Sequence, residues 1–153
     1  TEVDNGSIND KQLNILIVDD QKVNHIVLKK QIINKLKDYF TKDLNVFSAY
    51  SGEECLEFLN NNKPNIIIMD EIMKENGLLG SETVMKIREN GNNDVIIIHS
   101  SGNSEKLDRI RYWKCGINQI WGKPIPYKEI NEQIFNLLRN QNYYRIKNSD
   151  EFQ

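Results

Sequence analysis

Residues 66–70, Ile66-Ile67-Ile68-Met69-Asp70, form an apolar run that ends abruptly on a carboxylate. The run follows Pro64-Asn65 and has no polar face, so it predicts a strand buried on both sides, as in a parallel sheet. In open α/β sheets the residue that ends such a strand lies at the carboxyl edge, where ligands are held. Taken alone, Asp70 reads equally well as a polar stop in a turn, where Asp is common. The rest of the chain separates the two readings.

With 153 residues, the chain is expected to fold as one domain with a core of its own. Its 39% hydrophobic and 27% charged residues are an ordinary globular balance, and a formal charge of −2 gives no support for bulk attraction to nucleic acid or anionic membrane. No apolar stretch approaches bilayer length, and the N-terminus lacks the apolar centre of a signal peptide. Cys55 and Cys115 suggest neither a disulfide framework nor a metal site, so reduced thiols and a cytoplasmic location are expected. Runs such as Asn60-Asn61-Asn62 look like composition bias.

Outward from residues 66–70, the same pattern repeats. Residues 1–12 are polar and aperiodic and read as a leader or linker. Leu13 to Val18 predicts a strand ending in Asp19-Asp20. Val23, Ile26, Val27, Ile33, Leu36 and Phe40 recur at mostly helical spacing and predict an amphipathic helix over 22–40. Asn45–Ala49 predicts a strand. Ser51-Gly52 then opens a helix whose first turn holds Glu53 and Glu54, well placed against the helix dipole, with Leu56 and Leu59 inward. A loop with Gly77 and Gly80 leads to a helix over 81–90 with Val84, Met85 and Ile87 inward. Asp94–His99 predicts a fourth strand, closed by Ser100-Ser101-Gly102. The next helix, over 103–114, carries Leu107, Ile110 and Trp113 and is capped by Gly116. Ile117–Trp121 predicts a fifth strand before Gly122-Lys123-Pro124. The last helix starts near Tyr127, buries Ile130, Ile134, Leu137 and Leu138, and gives way to a polar tail over 141–153.

Strands alternating with helices imply parallel β-α crossovers and a sheet covered on both faces. With right-handed crossovers, the flavodoxin-like doubly wound order 2-1-3-4-5 is the natural one for five strands. All carboxyl ends then share one edge, which gathers Asp19, Asp20, Asp70, Ser100 and Lys123 from distant parts of the sequence. Three neighbouring carboxylates repel and desolvate one another unless a cation shares the cluster. An oxygen-only ligand set with open positions suits Mg²⁺ better than zinc or a fully caged Ca²⁺. An acid beside a metal, a hydroxyl and an ammonium group suits phosphoryl transfer, and a carboxylate is itself a competent nucleophile. The bland alternative is that Lys123 simply pairs with Asp19 or Asp70.

Over about residues 13–140 the chain resembles the receiver domain of two-component response regulators, including the receivers of hybrid histidine kinases. The likeness rests on LNILIVDD (13–20), NIIIMD (65–70), VIIIHSS (95–101) and GKP (122–124). The resemblance implies that Asp70 is the phosphoacceptor, and that Asp19, Asp20, Asp70 and the backbone carbonyl of Ile72 hold Mg²⁺. It implies further that Ser100 and Lys123 contact the phosphoryl group and that the Lys123-Pro124 bond is cis. The phosphodonor would be a histidine kinase or a histidine phosphotransfer protein, with no nucleic-acid or membrane contact by this domain. Such a domain catalyses its own phosphorylation and dephosphorylation and signals through its fourth helix, fifth strand and fifth helix. The chain is expected to be a lone regulator or, as its polar ends suggest, a piece of a hybrid kinase.

Three departures from the family pattern stand out. Met73 is followed by Lys74 rather than proline, and two extra residues precede Gly80. The position of the aromatic that moves with the switch hydroxyl is Ile120, with Trp121 one residue later. Ile72 and Gly102, two residues after the acceptor and after the switch hydroxyl, cannot orient an attacking water, so slow self-dephosphorylation is expected. Two rival classes remain: a phosphorylation-independent interaction module with a receiver fold, and a metal-dependent phosphatase with an Asp nucleophile. The second usually carries another acid where this chain has Ile72. His25, read as lying on a surface stretch of its helix, and His99 lack a partner at metal-ligand spacing. Trp113 and Trp121 read as core, and residues 143–147 as a fraying end. No glycine-rich phosphate loop follows the first strand.

Overall fold

The structure is a computed structural model that describes residues 12–40, 43–102 and 106–139. Five parallel strands, β1 (Leu13–Val18), β2 (Leu44–Ala49), β3 (Ile66–Asp70), β4 (Ile96–Ser101) and β5 (Gln119–Gly122), form one sheet in the order β2-β1-β3-β4-β5. The helices are α1 (Lys22–Leu36), α2 (Gly52–Phe58), α3 (Gly80–Glu89), α4 (Lys106–Lys114) and α5 (Ile130–Arg139), the last preceded by a 3₁₀ turn over Tyr127–Glu129. The expected doubly wound topology is therefore present. Element boundaries moved by a few residues. The largest shift is in α1, which ends at Leu36 rather than Phe40, and β4 runs to Ser101 rather than stopping at His99, so Ser100 lies in the strand, opposite Asp70. The polar stretches 1–11 and 140–153 lie outside the described residues.

Strand alternation divides the core into two layers. Ile15, Ile17, Ile66, Ile68, Ile96 and Ile98 pack with Leu28, Ile32 and Leu36 of α1 and Ile130, Ile134 and Leu137 of α5. Leu16, Val18, Ile67, Met69 and Ile97 pack the other way, with Cys55 of α2, Val84 and Ile87 of α3 and Tyr112 of α4. Each such side chain contributes roughly 1.5–3 kcal/mol when fully buried. Cys55 and Cys115 are free, and burial pushes the Cys55 thiol up to about 12. Among the described residues no helix is long and apolar enough to cross a membrane.

Three helix faces differ from expectation. The inward stripe of α1 is His25, Leu28, Ile32 and Leu36, whereas Val23 and Ile26 are 61% and 60% exposed. Apolar residues occur on two sides of this helix, and spacing alone does not say which side meets the sheet. His25 breaks the tie, because its ring is buried and bonded to the backbone beyond β1. In α4 only Tyr112 is buried, leaving Leu107 at 81% exposure and Ile110 and Trp113 part-exposed. The Tyr112 ring packs over β4, tilted against His99 with ring centroids 4.1 Å apart. Met85, expected inward on α3, is also exposed.

The β3–α3 connection passes very close to the sheet. A Cβ on Gly80 would stand 2.1 Å from the Asp70 carbonyl oxygen, a backbone atom that cannot yield locally. Gly80→Ala is therefore expected to cost about 1–3 kcal/mol, the scale of overpacking, or about 2–4 °C in Tm per kcal/mol. Gly102→Ala, whose Cβ meets open space, is the control and should leave the thermal melt unchanged.

Candidate functional site

The carboxyl edge of the sheet gathers the five residues that sequence placed there. Asp19 follows β1, and its geometry is set locally. Its Oδ1 accepts the Gln21 N–H at 2.8 Å, its carboxylate accepts from Asn24 Nδ2 at 3.1 and 3.3 Å, and its carbonyl accepts from His25 Nε2 at 2.7 Å. Asp19, Asp20 and Asp70 each present a carboxylate oxygen, all within 4.8 Å of one another.

Asp70 is 6% exposed, and Lys123 Nζ donates to its Oδ1 at 2.6 Å. Burial raises the Asp70 carboxyl above its ordinary value; the Lys123 hydrogen bond opposes this, and the Asp19 charge adds to it. Ser100 Oγ is buried and has no hydrogen-bond partner among the described residues. An orphaned buried hydroxyl is costly unless something fills its need. Asp70, Ser100, Lys123, Asp19 and Asn24 line a cavity of about 190 Å³, floored by Ile17 and Ile68.

The remaining expected residues lie around this centre. Ile72 is 75% exposed on the loop after β3, beside a groove it shares with Asp70 and Lys123. The Lys123-Pro124 bond is cis. Ile120 is half-buried in the second core layer, in register with His99. Trp121, not Ile120, is in register with Ser100; it is 1% exposed, and its indole N–H donates to Gln133 Oε1 on α5.

Sequence reasoning missed the residues that hold these groups in place. His25, read as a surface residue, is buried and supports the turn at Asp19, with its ring 4.5 Å from Tyr50. Glu71 is 4% exposed and pairs with His99 at 2.9 Å. Burial alone would raise the Glu71 carboxyl, but donors from His99 and Ser81 outweigh it and hold the group below the usual range. A signal was available: Glu71 and His99 sit one residue beyond and one residue before the paired Asp70 and Ser100, on neighbouring strands.

Three oxygen donors that repel one another, with one lysine in contact, form a donor set suited to a hard divalent cation. Together with the lysine and the unpartnered hydroxyl at the edge of a 2-1-3-4-5 sheet, they define a receiver-type α/β domain. Comparison with known proteins agrees: the response regulator receiver domain family matches residues 15–135, and the chain belongs to that family. It is thus a receiver domain of the two-component response-regulator type.

Histidine kinase P4 of Formosa agariphila is 29% identical over 137 residues, covering 89% of this chain and 9% of that protein. The TorCAD operon transcriptional regulatory protein TorR of Escherichia coli K12 is 28% identical over 126 residues, covering 81% of this chain and 49% of that protein. The chain spans half the length or less of these relatives. Two solved structures share the fold. The signal receiver domain of a DNA-binding response regulator from Colwellia psychrerythraea has a TM-score of 0.72 at 22% identity, covering 84% of this chain and 99% of that one. The signal receiver domain of a signal transduction histidine kinase from Syntrophus aciditrophicus has a TM-score of 0.69 at 23% identity, covering 83% and 90%.

The raised Asp70 carboxyl has a stability consequence. The native state binds this proton more tightly than the unfolded chain, so stability falls as pH rises from about the ordinary value of 3.8 through the higher folded value. Asp70→Asn removes the buried charge and leaves Lys123, 42% exposed, to water. The variant is expected to melt above wild type at pH 7, by about 2–4 °C for each kcal/mol relieved, with the gap closing towards pH 4. Melts at both pH values test this.

Proposed function

We propose that Asp70 accepts a phosphoryl group from the phosphohistidine of a histidine kinase or histidine phosphotransfer protein, and that the resulting acyl phosphate switches the domain. The observation that carries this reading is the convergence on one buried carboxylate of a lysine at 2.6 Å, two further acids within 4.8 Å and an unpartnered buried hydroxyl.

In the step itself, an Asp70 carboxylate oxygen attacks phosphorus and the P–N bond to the donor imidazole breaks. The electron pair leaves with the imidazole, which takes up a proton. Lys123 neutralises one phosphoryl oxygen, and the Ser100 hydroxyl, with no other acceptor among the described residues, donates to another. Asp19, Asp20, Asp70 and the backbone carbonyl of Ile72 would hold Mg²⁺, which when bound supplies neutralisation of the charge on the transferring group. Asn24 and the Gln21 N–H aim Asp19 in advance.

The relative named as a histidine kinase supports a place in a hybrid kinase, and the transcriptional regulators support a place ahead of an effector; a cytoplasmic domain fits either reading. Ile120, at the aromatic position, is the feature that favours the rival interaction module.

Incubation with Mg²⁺ and a small phosphodonor should give an alkali-labile acyl phosphate on wild type and none on Asp70→Asn. Labelling that survives the substitution defeats the assignment, and no labelling even from a phosphotransfer protein favours the interaction module. Ile72 is exposed and a side chain at Gly102 meets open space, so Ile72→Asn with Gly102→Glu should fold. The pair is expected to speed loss of the phosphoryl group by roughly one to two orders of magnitude, towards the lower end of what a positioned proton acceptor contributes. The decay rate of labelled protein measures this.

A further inference from the structure

The best-connected side chain at this edge of the sheet is one the proposed chemistry does not use. Glu71 directly follows Asp70, yet it points away from the acid cluster. Side chains alternate along a strand, so Asp70 and Ser100 share one face while Glu71 and His99 share the other. On that second face Glu71 Oε1 accepts the Ser81 N–H at 2.6 Å and the His99 Nε2–H at 2.9 Å, and Oε2 accepts the Ser81 hydroxyl at 2.8 Å. The carboxylate has no proton to give, so the His99 hydrogen must be on Nε2. Arg111 Nη2 of α4 approaches Oε2 at 3.6 Å. The Glu71 backbone is occupied as well, its N–H donating to the Ser100 carbonyl at 3.2 Å and its carbonyl accepting from Gly80 at 2.8 Å.

One residue therefore ties together the end of β3, the end of β4 and the first turn of α3. It closes the base of the connecting loop that carries Ile72. That loop is held at two further points: Met73 is buried in the second core layer, and the Leu78 N–H donates to Glu53 Oε1 at 3.0 Å. The loop is two residues longer than the family pattern, and without its clasp more conformations would be open to it, at an entropic cost to any ligand that needs one of them.

We propose that Glu71, clasped by His99 and Ser81, is a positioning residue that fixes the course of the 71–80 loop and with it the place of the Ile72 carbonyl relative to the acid cluster. The metal part of this proposal rests on the reading that Asp19, Asp20, Asp70 and Ile72 hold Mg²⁺; the loop part does not. Groups that orient a ligand from behind typically govern metal affinity by about 10–100-fold.

The decisive variant is Glu71→Leu/His99→Leu. It replaces the buried, hydrogen-bonded Glu71–His99 pair by apolar side chains of similar size, which limits the cost of removing both partners, and it removes the clasp, so that Ser81 loses its acceptors as well. Amide hydrogen exchange over residues 71–80 in metal-free protein, and titration with MgCl₂ alone, are compared with wild type beside a thermal melt. The expected result is a folded protein with a cooperative melt, loop exchange at least about tenfold faster and Mg²⁺ affinity about tenfold weaker or more. A folded double variant with unchanged loop exchange and unchanged Mg²⁺ affinity overturns the proposal.

Wild type that binds no Mg²⁺ defeats the metal reading, and the metal-free exchange measurement then decides the loop role alone. Should the double variant fail to fold, Glu71→Gln, which keeps an acceptor for Ser81 but not the charge, is measured in the same way. Faster loop exchange supports the proposal, and unchanged exchange overturns it.

Discussion

Strands β1, β3 and β4 are enclosed by helices on both sides, and that enclosure is the constraint on which the rest depends. A strand in this position leaves its polar groups to its end, because an unpaired polar side chain within it would lose water without compensation. Parallel pairing then brings every such end to the same edge. Ile66–Met69 are all buried, and the first carboxylate after them, on Asp70, has nowhere to sit but that edge. The burial that stabilises the sheet thus also desolvates Asp70 and raises its carboxyl. Fold stability and the reactivity proposed for the site share one cause.

The edge has two faces with different work. On the face towards α1 and α5 lie Asp70, Ser100 and Lys123 around a small cavity. On the opposite face lie Glu71 and His99, buried and paired, with the Tyr112 ring tilted against His99 and Arg111 reaching in from α4. Their backbones are joined, since the Glu71 N–H donates to the Ser100 carbonyl. Ser100 thus borders both faces: it is in register with Trp121, whose indole N–H donates to Gln133 on α5, and it follows His99, whose ring lies against Tyr112 of α4. Ile120, half-buried, is in register with His99.

Much of this was legible in the chain itself. The largely apolar runs of β1, β3 and β4, ending in Asp or Ser, with two weaker strand patterns and helical spacing between them, are enough to specify a doubly wound parallel sheet. Asp19, Asp20, Asp70, Ser100 and Lys123 follow as its edge residues. Less legible was the orientation of helices with more than one apolar side. In α1 the exposed Val23 and Ile26 have the same hydrophobic character as the buried Leu28 and Ile32, and spacing weighs them equally. In α4 a single large ring does the packing, so Leu107 stays outside. The role of His25 was hidden for a related reason: its partner is a backbone carbonyl, which no residue pattern displays.

The sequence by itself determined which residues reach the carboxyl edge, because strand direction and apolar periodicity are local properties that survive without coordinates. Only the tertiary structure decided what those residues touch: that Lys123 pairs with Asp70 rather than Asp19, that the Ser100 hydroxyl has no partner among the described residues, and that Glu71 closes the loop through His99. These contacts join residues 28 and 53 positions apart, as for Glu71 with His99 and Asp70 with Lys123. Hydrogen bonds depend on distances of a few tenths of an ångström and on the loss of competing water. Both arise only once the layers have closed.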